Sequence, residues 1–405
     1  MSRRPLTAVP FTGKLLLATV IALTAIGIVF IHSATSEGDD FPSTLARGQM
    51  EKAVLAIAGL FLIARLDYRF LDRYASTIYG GLCGILAAMI AVRLLAGGAY
   101  RHIQLHIFQV QPSELMKLGL VLGIARYLRF REDQRRAAGL IGPFLITLVP
   151  MALVLLQPDL GTSVLFPPVL FAMLFVAGAR LRHLVLAATL GLAILPAVYF
   201  LGDRLPFIQS YQRDRLTAFL NWDSTTTRFQ GFHLRQSEIA IGSGGAFGKG
   251  IGAGTQNVLG HLREKHTDFI FGVIAEETGF AGAAGVVFLA LLVPALILRV
   301  AIQTREPFGR LVTTGIAAAF AAQSLENIGM TMGLTPITGV PLPFVSQGGS
   351  SLVASYLSIG VVLAVASRRV RVVASRDLDP SRASRAVTVE DARPSGLLQS
   401  RWPVG

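Results

Sequence analysis

The chain has 405 residues, of which 52% are hydrophobic and only 15% charged. Soluble domains carry about 25% charged residues, so the composition argues against a soluble enzyme and for an all-α polytopic membrane protein. A net charge of +13 would suit nucleic acid, but the cations fall in small clusters at every second connection, so nucleic acid is rejected as a partner.

A bilayer core takes about 20 apolar residues per helix. On that ruler the chain has ten candidate spans, near Lys14–Ser33, Gly48–Arg65, Tyr74–Leu95, Ser113–Phe130, Gly139–Leu156, Gly161–Gly178, His183–Leu201, Phe269–Leu298, Leu311–Leu334 and Gly349–Ser367. Arg3, Arg4 and Lys14 open the first without a small-residue cleavage site, so that helix is expected to be retained. The single cysteine, Cys83, lies in an apolar segment and excludes disulfides and thiolate metal sites.

Connections alternate between cationic ones and ones poor in cations. Arg65/Arg69/Arg73, Arg126/Arg129/Arg131/Arg135/Arg136, Arg180/Arg182, Arg299/Arg305/Arg310 and Arg368/Arg369/Arg371 share a side with the N-terminus. The positive-inside rule then places both termini in the cytoplasm and the Gly202–Asp268 loop outside, between the seventh and eighth helices. The expected organisation is a cytoplasmic N-terminus (1–13), a ten-helix membrane domain (14–367) and a disordered cytoplasmic tail (368–405).

The longest polar interval, Gly231–Asp268, holds glycines, amides, histidines and cations and then re-enters apolar sequence at Phe269. It fails the P-loop pattern, because Ser243 stands where the first glycine belongs and Gly250 follows Lys249. Its glycines suit a tight turn beside a ligand, with Lys249 available to an anion; a flexible loop is the plainer alternative. His261 and His266 are five apart, which does not pair them on one helical face, and no HExxH motif is present.

Carboxylates mark the span ends. Glu114 and Lys117 are three apart at the start of the fourth span and share a face, after a proline and a candidate cap, Ser113. Charges there either snorkel or line a polar path. Asp159 sits in the turn Gln157-Pro158-Asp159, expected at the same mouth. Asp268 is expected at the cap or first turn of the eighth span. The segment Phe269–Leu298 would be about 45 Å long as helix, so its first part, with Glu276 and Glu277, is expected partly in the interface. Glu326, inside the ninth span, needs a cation or a polar interior.

These residues carry a resemblance. QPSELMK at Gln111–Lys117, QPDLGTS at Gln157–Ser163, YQRDRL at Tyr211–Leu216 and GFHLRQSEIAIGSGG at Gly231–Gly245 are similar to motifs of the SEDS membrane proteins (shape, elongation, division and sporulation). So are GKG at Gly248–Gly250, GTQ at Gly254–Gln256, HTDFIFGVIAEETGF at His266–Phe280 and NIGMTMGLTPITGVPLPFVSQGGSS at Asn327–Ser351. Within the family, the glycine pattern and TGVPLPF look more like the RodA branch than the FtsW branch.

The resemblance implies a ten-helix peptidoglycan glycosyltransferase of the bacterial cytoplasmic membrane. It would polymerise lipid II during cell elongation beside a class B penicillin-binding protein and other elongation-complex membrane proteins. Asp268 matches the family's presumed catalytic aspartate; Glu114, Lys117 and Asp159 match polar positions of its outer cavity. An inverting transfer needs a base at the acceptor hydroxyl, assigned to Asp268, and positive charge at the departing pyrophosphate. Lys117, Lys249, Arg213, Arg215 or a divalent cation (magnesium or manganese, implied by the family alone) could supply that charge. Gln256 and His266 complete the expected substrate-binding set.

Three positions depart from the family pattern: His102 for a tryptophan, Arg263 for a proline and Gln347 for a tyrosine. A lipid II flippase fits intramembrane charges and glycine-rich loops equally well, and a non-catalytic scaffold would not need Asp268.

Overall fold

The computed structural model describes residues 10–35, 42–96, 102–104, 109–131, 133–201, 228–255 and 266–377. The ten expected spans are all helical there: α1 (Phe11–Thr35), α2 (Thr44–Arg65), α3 (Tyr68–Ala96), α4 (Pro112–Leu128), α5 (Ile141–Leu156), the pair α6 (Leu160–Val164) and α7 (Phe166–Val176), and α8 (Leu181–Leu201). After α9 (Arg228–Ser243) come α10 (Ile270–Gln303), α11 (Pro307–Thr331) and α12 (Gly349–Asp377). The sixth span is broken at Leu165, just before Pro167 and Pro168, whose missing N–H groups favour a helix start there.

Among the described residues five segments are long and apolar enough to cross a bilayer on composition alone: α1, α3, Ala137–Leu156, α10 and the Gly349–Arg368 part of α12. Among the remaining helices, α4 is only 17 residues long, and α2, α4 and α11 share one feature. Each carries buried polar side chains, Gln49 on α2, Glu114 on α4, Gln323 and Asn327 on α11. In a low-dielectric layer such groups must find partners inside the protein, and these three helices build the site.

The core is one continuous cluster in which α12 packs along α2, α10 along α11 and α1, α3 along α4, and α11 also against α7. At one end of the bundle, Asp72 of α3 binds Arg126 at 3.0 Å and also Arg129, both at the end of α4. Asp67 binds Arg368 at the corresponding stage of α12. The starts of α4 and α12 therefore lie at the opposite end, as does the two-stranded hairpin β1 (Ile103–Gln104) and β2 (Gln109–Val110).

Two expectations change. Part of the supposed outer loop is helix: the 16-residue α9 packs on α10 and α11, and Ser237 Oγ donates to the Thr331 carbonyl at 2.9 Å. The last helix continues to Asp377, past the expected end at Ser367.

Candidate active site at one end of the bundle

The start of α4 is set by Pro112 at its first position, with Gln111 as N-cap residue. Ser113, expected as a cap, lies in the first turn and donates to Asp159 Oδ2 at 2.8 Å. Gln111 Nε2 donates to the same oxygen at 2.9 Å. Asp159 in turn caps α6, accepting from Thr162 N at 3.2 Å and Thr162 Oγ1 at 2.9 Å. Its carboxylate thus takes four donors and fastens the start of α4 to the start of α6.

One turn further, Glu114 and Lys117 form the expected i,i+3 pair at 2.8 Å, with side chains only 6% and 10% exposed. Burial decides their character: these charges do not snorkel to water. Lys117 Nζ also donates to Gln323 Oε1 of α11 at 2.9 Å. The Gln323 amide donates to the Pro341 carbonyl at 2.9 Å. Asn327, on the same face of α11, donates to the adjacent Val340 carbonyl at 2.7 Å and to the Asp268 carbonyl at 2.9 Å. A hydrogen-bonded path therefore runs from Glu114 and Lys117 through two amides to the backbone of Asp268.

Asp268 lies in the turn 266–269, one residue before the N-cap position that Phe269 occupies without any side-chain cap bond. Asp268 therefore stands one residue before the cap position of α10, where the cap or first turn was expected. The turn is held from a second side: Gln347 N donates to the His266 carbonyl at 2.9 Å. Gln347 belongs to a segment that Gln49 of α2 fixes, through Nε2 to the Ser346 carbonyl at 3.2 Å and through Oε1 from Gly348 N at 3.3 Å. Ser350 accepts from Gln111 N at 2.8 Å and donates to the Gln109 carbonyl at 2.6 Å, tying the hairpin to the start of α12. His102, immediately before that hairpin, is exposed.

A cavity bounded by Glu114, Lys117, Phe320, Gln323, Ala354 and Ser358 measures about 20 Å³. That is room for one water, not for a sugar.

The glycine-rich segment does something else. α10 is broken at Gly279, whose φ of 67° and ψ of −164° are open only to glycine. The break frees backbone groups, and residues 245–250 satisfy them. Lys249 N and Gly250 N donate to the Glu276 and Glu277 carbonyls at 3.1 and 3.0 Å; Phe280 N and Ala281 N donate to the Gly245 and Ala246 carbonyls at 2.8 and 3.1 Å. Gly248, itself at φ 81°, lies against this backbone with no space for a side chain.

Glu276 and Glu277 are buried inside the protein, at 0% and 1% exposure. Ser33 of α1 donates to the Glu277 carboxylate at 2.7 Å. Lys249 Nζ pairs with Glu276 Oε1 at 2.6 Å, so any substrate anion would compete with Glu276 for it. On α9, burial pushes the Glu238 carboxyl above its ordinary range, partly offset by Arg235. Glu326 is half-buried on α11.

Of the candidate residues, Glu114, Lys117, Asp159, His266 and Asp268 converge on this end of the bundle, and Lys249 braces the broken helix. Arg213, Arg215 and Gln256, with Arg263, lie outside the described residues. Sequence reasoning missed Gln49, Gln323 and Asn327; the available signal was a pair of amides at i,i+4 inside an apolar span. Among the described residues no three His, Cys, Asp or Glu side chains converge on an ion. Glu114 and Asp159 are engaged by protein donors. They do not constitute a protein-built divalent site.

The fold and this end of it define a class: a polytopic helical membrane protein whose buried charges, amides and a carboxylate-bearing turn meet at one mouth. The family model for FtsW, RodA and SpoVE, described as a cell cycle protein, matches residues 13–371. The chain belongs to that family. It is 35% identical over 366 residues to a probable peptidoglycan glycosyltransferase FtsW of Geobacter sulfurreducens, covering 87% of this chain and 94% of the relative. It is 32% identical to the peptidoglycan glycosyltransferase RodA of Treponema pallidum, covering 88% and 97%. A solved structure concerning the coordination of polymerization and crosslinking by a peptidoglycan synthase complex superposes with a TM-score of 0.73 at 32% identity, over 87% of this chain and 97% of the other.

Proposed function

We propose that this chain is a peptidoglycan glycosyltransferase that joins lipid II units into glycan strands, with Asp268 as the general base. The observation that carries the reading is the double grip on the Asp268 turn, by Asn327 at its carbonyl and Gln347 at the His266 carbonyl. It sits beside a buried acid–lysine pair in a chain of this family. A base must be held within hydrogen-bond reach of the proton it removes, and both grips fix the backbone that carries Asp268.

In the proposed reaction the acceptor sugar hydroxyl gives its proton to Asp268 as its oxygen bonds to the donor's anomeric carbon. The lipid-linked pyrophosphate leaves with the electron pair of the broken C–O bond. Positive charge near that leaving group lowers the barrier. Lys117 and Lys249 each have an acidic partner already, which makes Arg213 and Arg215 the first cations to test. A magnesium or manganese requirement enters the proposal only as a counterion carried by the pyrophosphate, and no step is assigned to it.

The basic clusters support a cytoplasmic placement of the Asp67/Asp72 end, with the site on the outer face. The solved complex supports a penicillin-binding partner. The glycine pattern and TGVPLPF favour the RodA branch, while relatives of both names match at similar identity; complementation of elongation-defective against division-defective cells decides it.

The test is polymerisation of labelled lipid II by the purified protein with its class B partner, wild type against Asp268→Ala. Polymer from wild type alone supports the reading. No polymer from a well-folded wild-type complex overturns it, and equal lipid translocation by both proteins favours a flippase.

A further inference from the structure

We infer that Lys249 and Glu276 form a positioning latch that sets the approach of the chain to Asp268, so that Lys249 serves catalysis without touching the substrate. The inference rests on the glycosyltransferase reading above and adds a role for residues outside its mouth.

The geometry is that of a single joint. Lys249 Nζ donates to Ser243 Oγ at 2.7 Å, Thr255 Oγ1 at 2.7 Å and Glu276 Oε1 at 2.6 Å. Thr255 Oγ1 donates to the same carboxylate oxygen at 2.9 Å. One ammonium thus gathers the end of α9, residue 255 and the first half of α10. The backbone of Lys249 is itself bonded to Glu276, so the side chain starts from a fixed origin. Gly254 lies so close that an added Cβ would meet Glu276 Oε2 at 2.9 Å.

The joint has a direction. Glu276 belongs to the two turns of α10 between Phe269 and the break at Gly279, and Asp268 immediately precedes them. That short piece of helix is held at its far end by the glycine segment and at its near end by Asn327 and Gln347. Loosening the far end lets the piece rotate about the break, and a displacement of about 1 Å at a reacting group can cost 100-fold in rate. The Glu276 side chain is fully buried while that of Lys249 is 25% exposed. Removing the lysine deprives a buried carboxylate of its cation, whereas removing both charges together is the milder change.

The experiment uses the full chain in complex with its penicillin-binding partner and measures kcat and KM for labelled lipid II, with the thermal midpoint alongside. The variants are Lys249→Met, Lys249→Arg, Glu276→Gln and the double Lys249→Met/Glu276→Leu. The latch predicts that Lys249→Met and Glu276→Gln each lower kcat by 10-fold or more with KM within two-fold. It also predicts that Lys249→Arg retains most activity and that the double variant recovers at least part of the loss of Lys249→Met. A KM raised by Lys249→Met with Glu276→Gln unimpaired would overturn the latch and make Lys249 a substrate contact. Unchanged kinetics in both single variants would also overturn it. A loss of kcat in Lys249→Met that only follows a lowered midpoint, with the Arg variant no better, would reduce the pair to ordinary stability and equally sink the idea. Absence of polymer from wild type would instead strike the glycosyltransferase reading itself.

Discussion

Among the described residues two acid–lysine pairs stand out, one buried and one with a buried glutamate and a partly exposed lysine, and they were made by different means. Glu114 and Lys117 sit three apart on α4 and find each other by helix geometry alone, with Gln323 as outside support. Lys249 and Glu276 are 27 residues apart and meet only because a glycine segment docks on a broken helix. A local pair forms whenever its helix forms; a long-range pair reports that the tertiary arrangement around it is intact. The first is therefore suited to line a site and the second to hold one in place.

The contrast can be broken most severely at the local pair. Lys117→Met leaves Glu114 buried without its cation, a loss of about 3–5 kcal/mol, read by the thermal midpoint of the purified protein. The double Glu114→Leu/Lys117→Met should recover much of that stability yet polymerise no lipid II. Recovery of activity along with stability would make the pair merely structural.

The long-range arrangement is tested next at its backbone. Gly279→Ala places a Cβ at φ 67° against the backbone of Gly248, with strain of about 1–3 kcal/mol. Hydrogen exchange should then rise in residues 244–250 while α4 stays protected; equal change in both would show that the two regions are not separable. The smallest expected effect is at the link between α4 and α6. Asp159→Ala removes the cap of α6, about 1–2 kcal/mol, and Asp159→Asn should restore most of it if the role is to accept hydrogen bonds.

The same contrast explains what could be seen in the sequence. Apolar runs stand out in hydropathy, so helices lie near all ten expected positions, five of them long and apolar enough to cross a bilayer among the described residues, and the spacing of Glu114 and Lys117 declared a shared face. Gly279 was invisible, because one glycine barely alters the hydropathy of a 34-residue apolar helix. With the break hidden, the partners of the glycine segment are hidden too, although Gly244 and Gly248 lie against the α10 backbone with no space for a side chain. α9 was missed because it is amphipathic and lies within a polar interval. The site was half legible: the charged residues stood out, whereas Gln323 and Asn327, which connect them to Asp268, look ordinary until α11 is set beside α4.

The central claim is that this mouth exists to present Asp268 to a lipid-linked sugar. Its most direct test is the rate of glycan formation from labelled lipid II by the complex carrying Asp268→Ala, matched to wild type in thermal midpoint and partner binding. The account predicts polymer from wild type and a fall of at least about 100-fold in the variant. A variant that polymerises at the wild-type rate would contradict it.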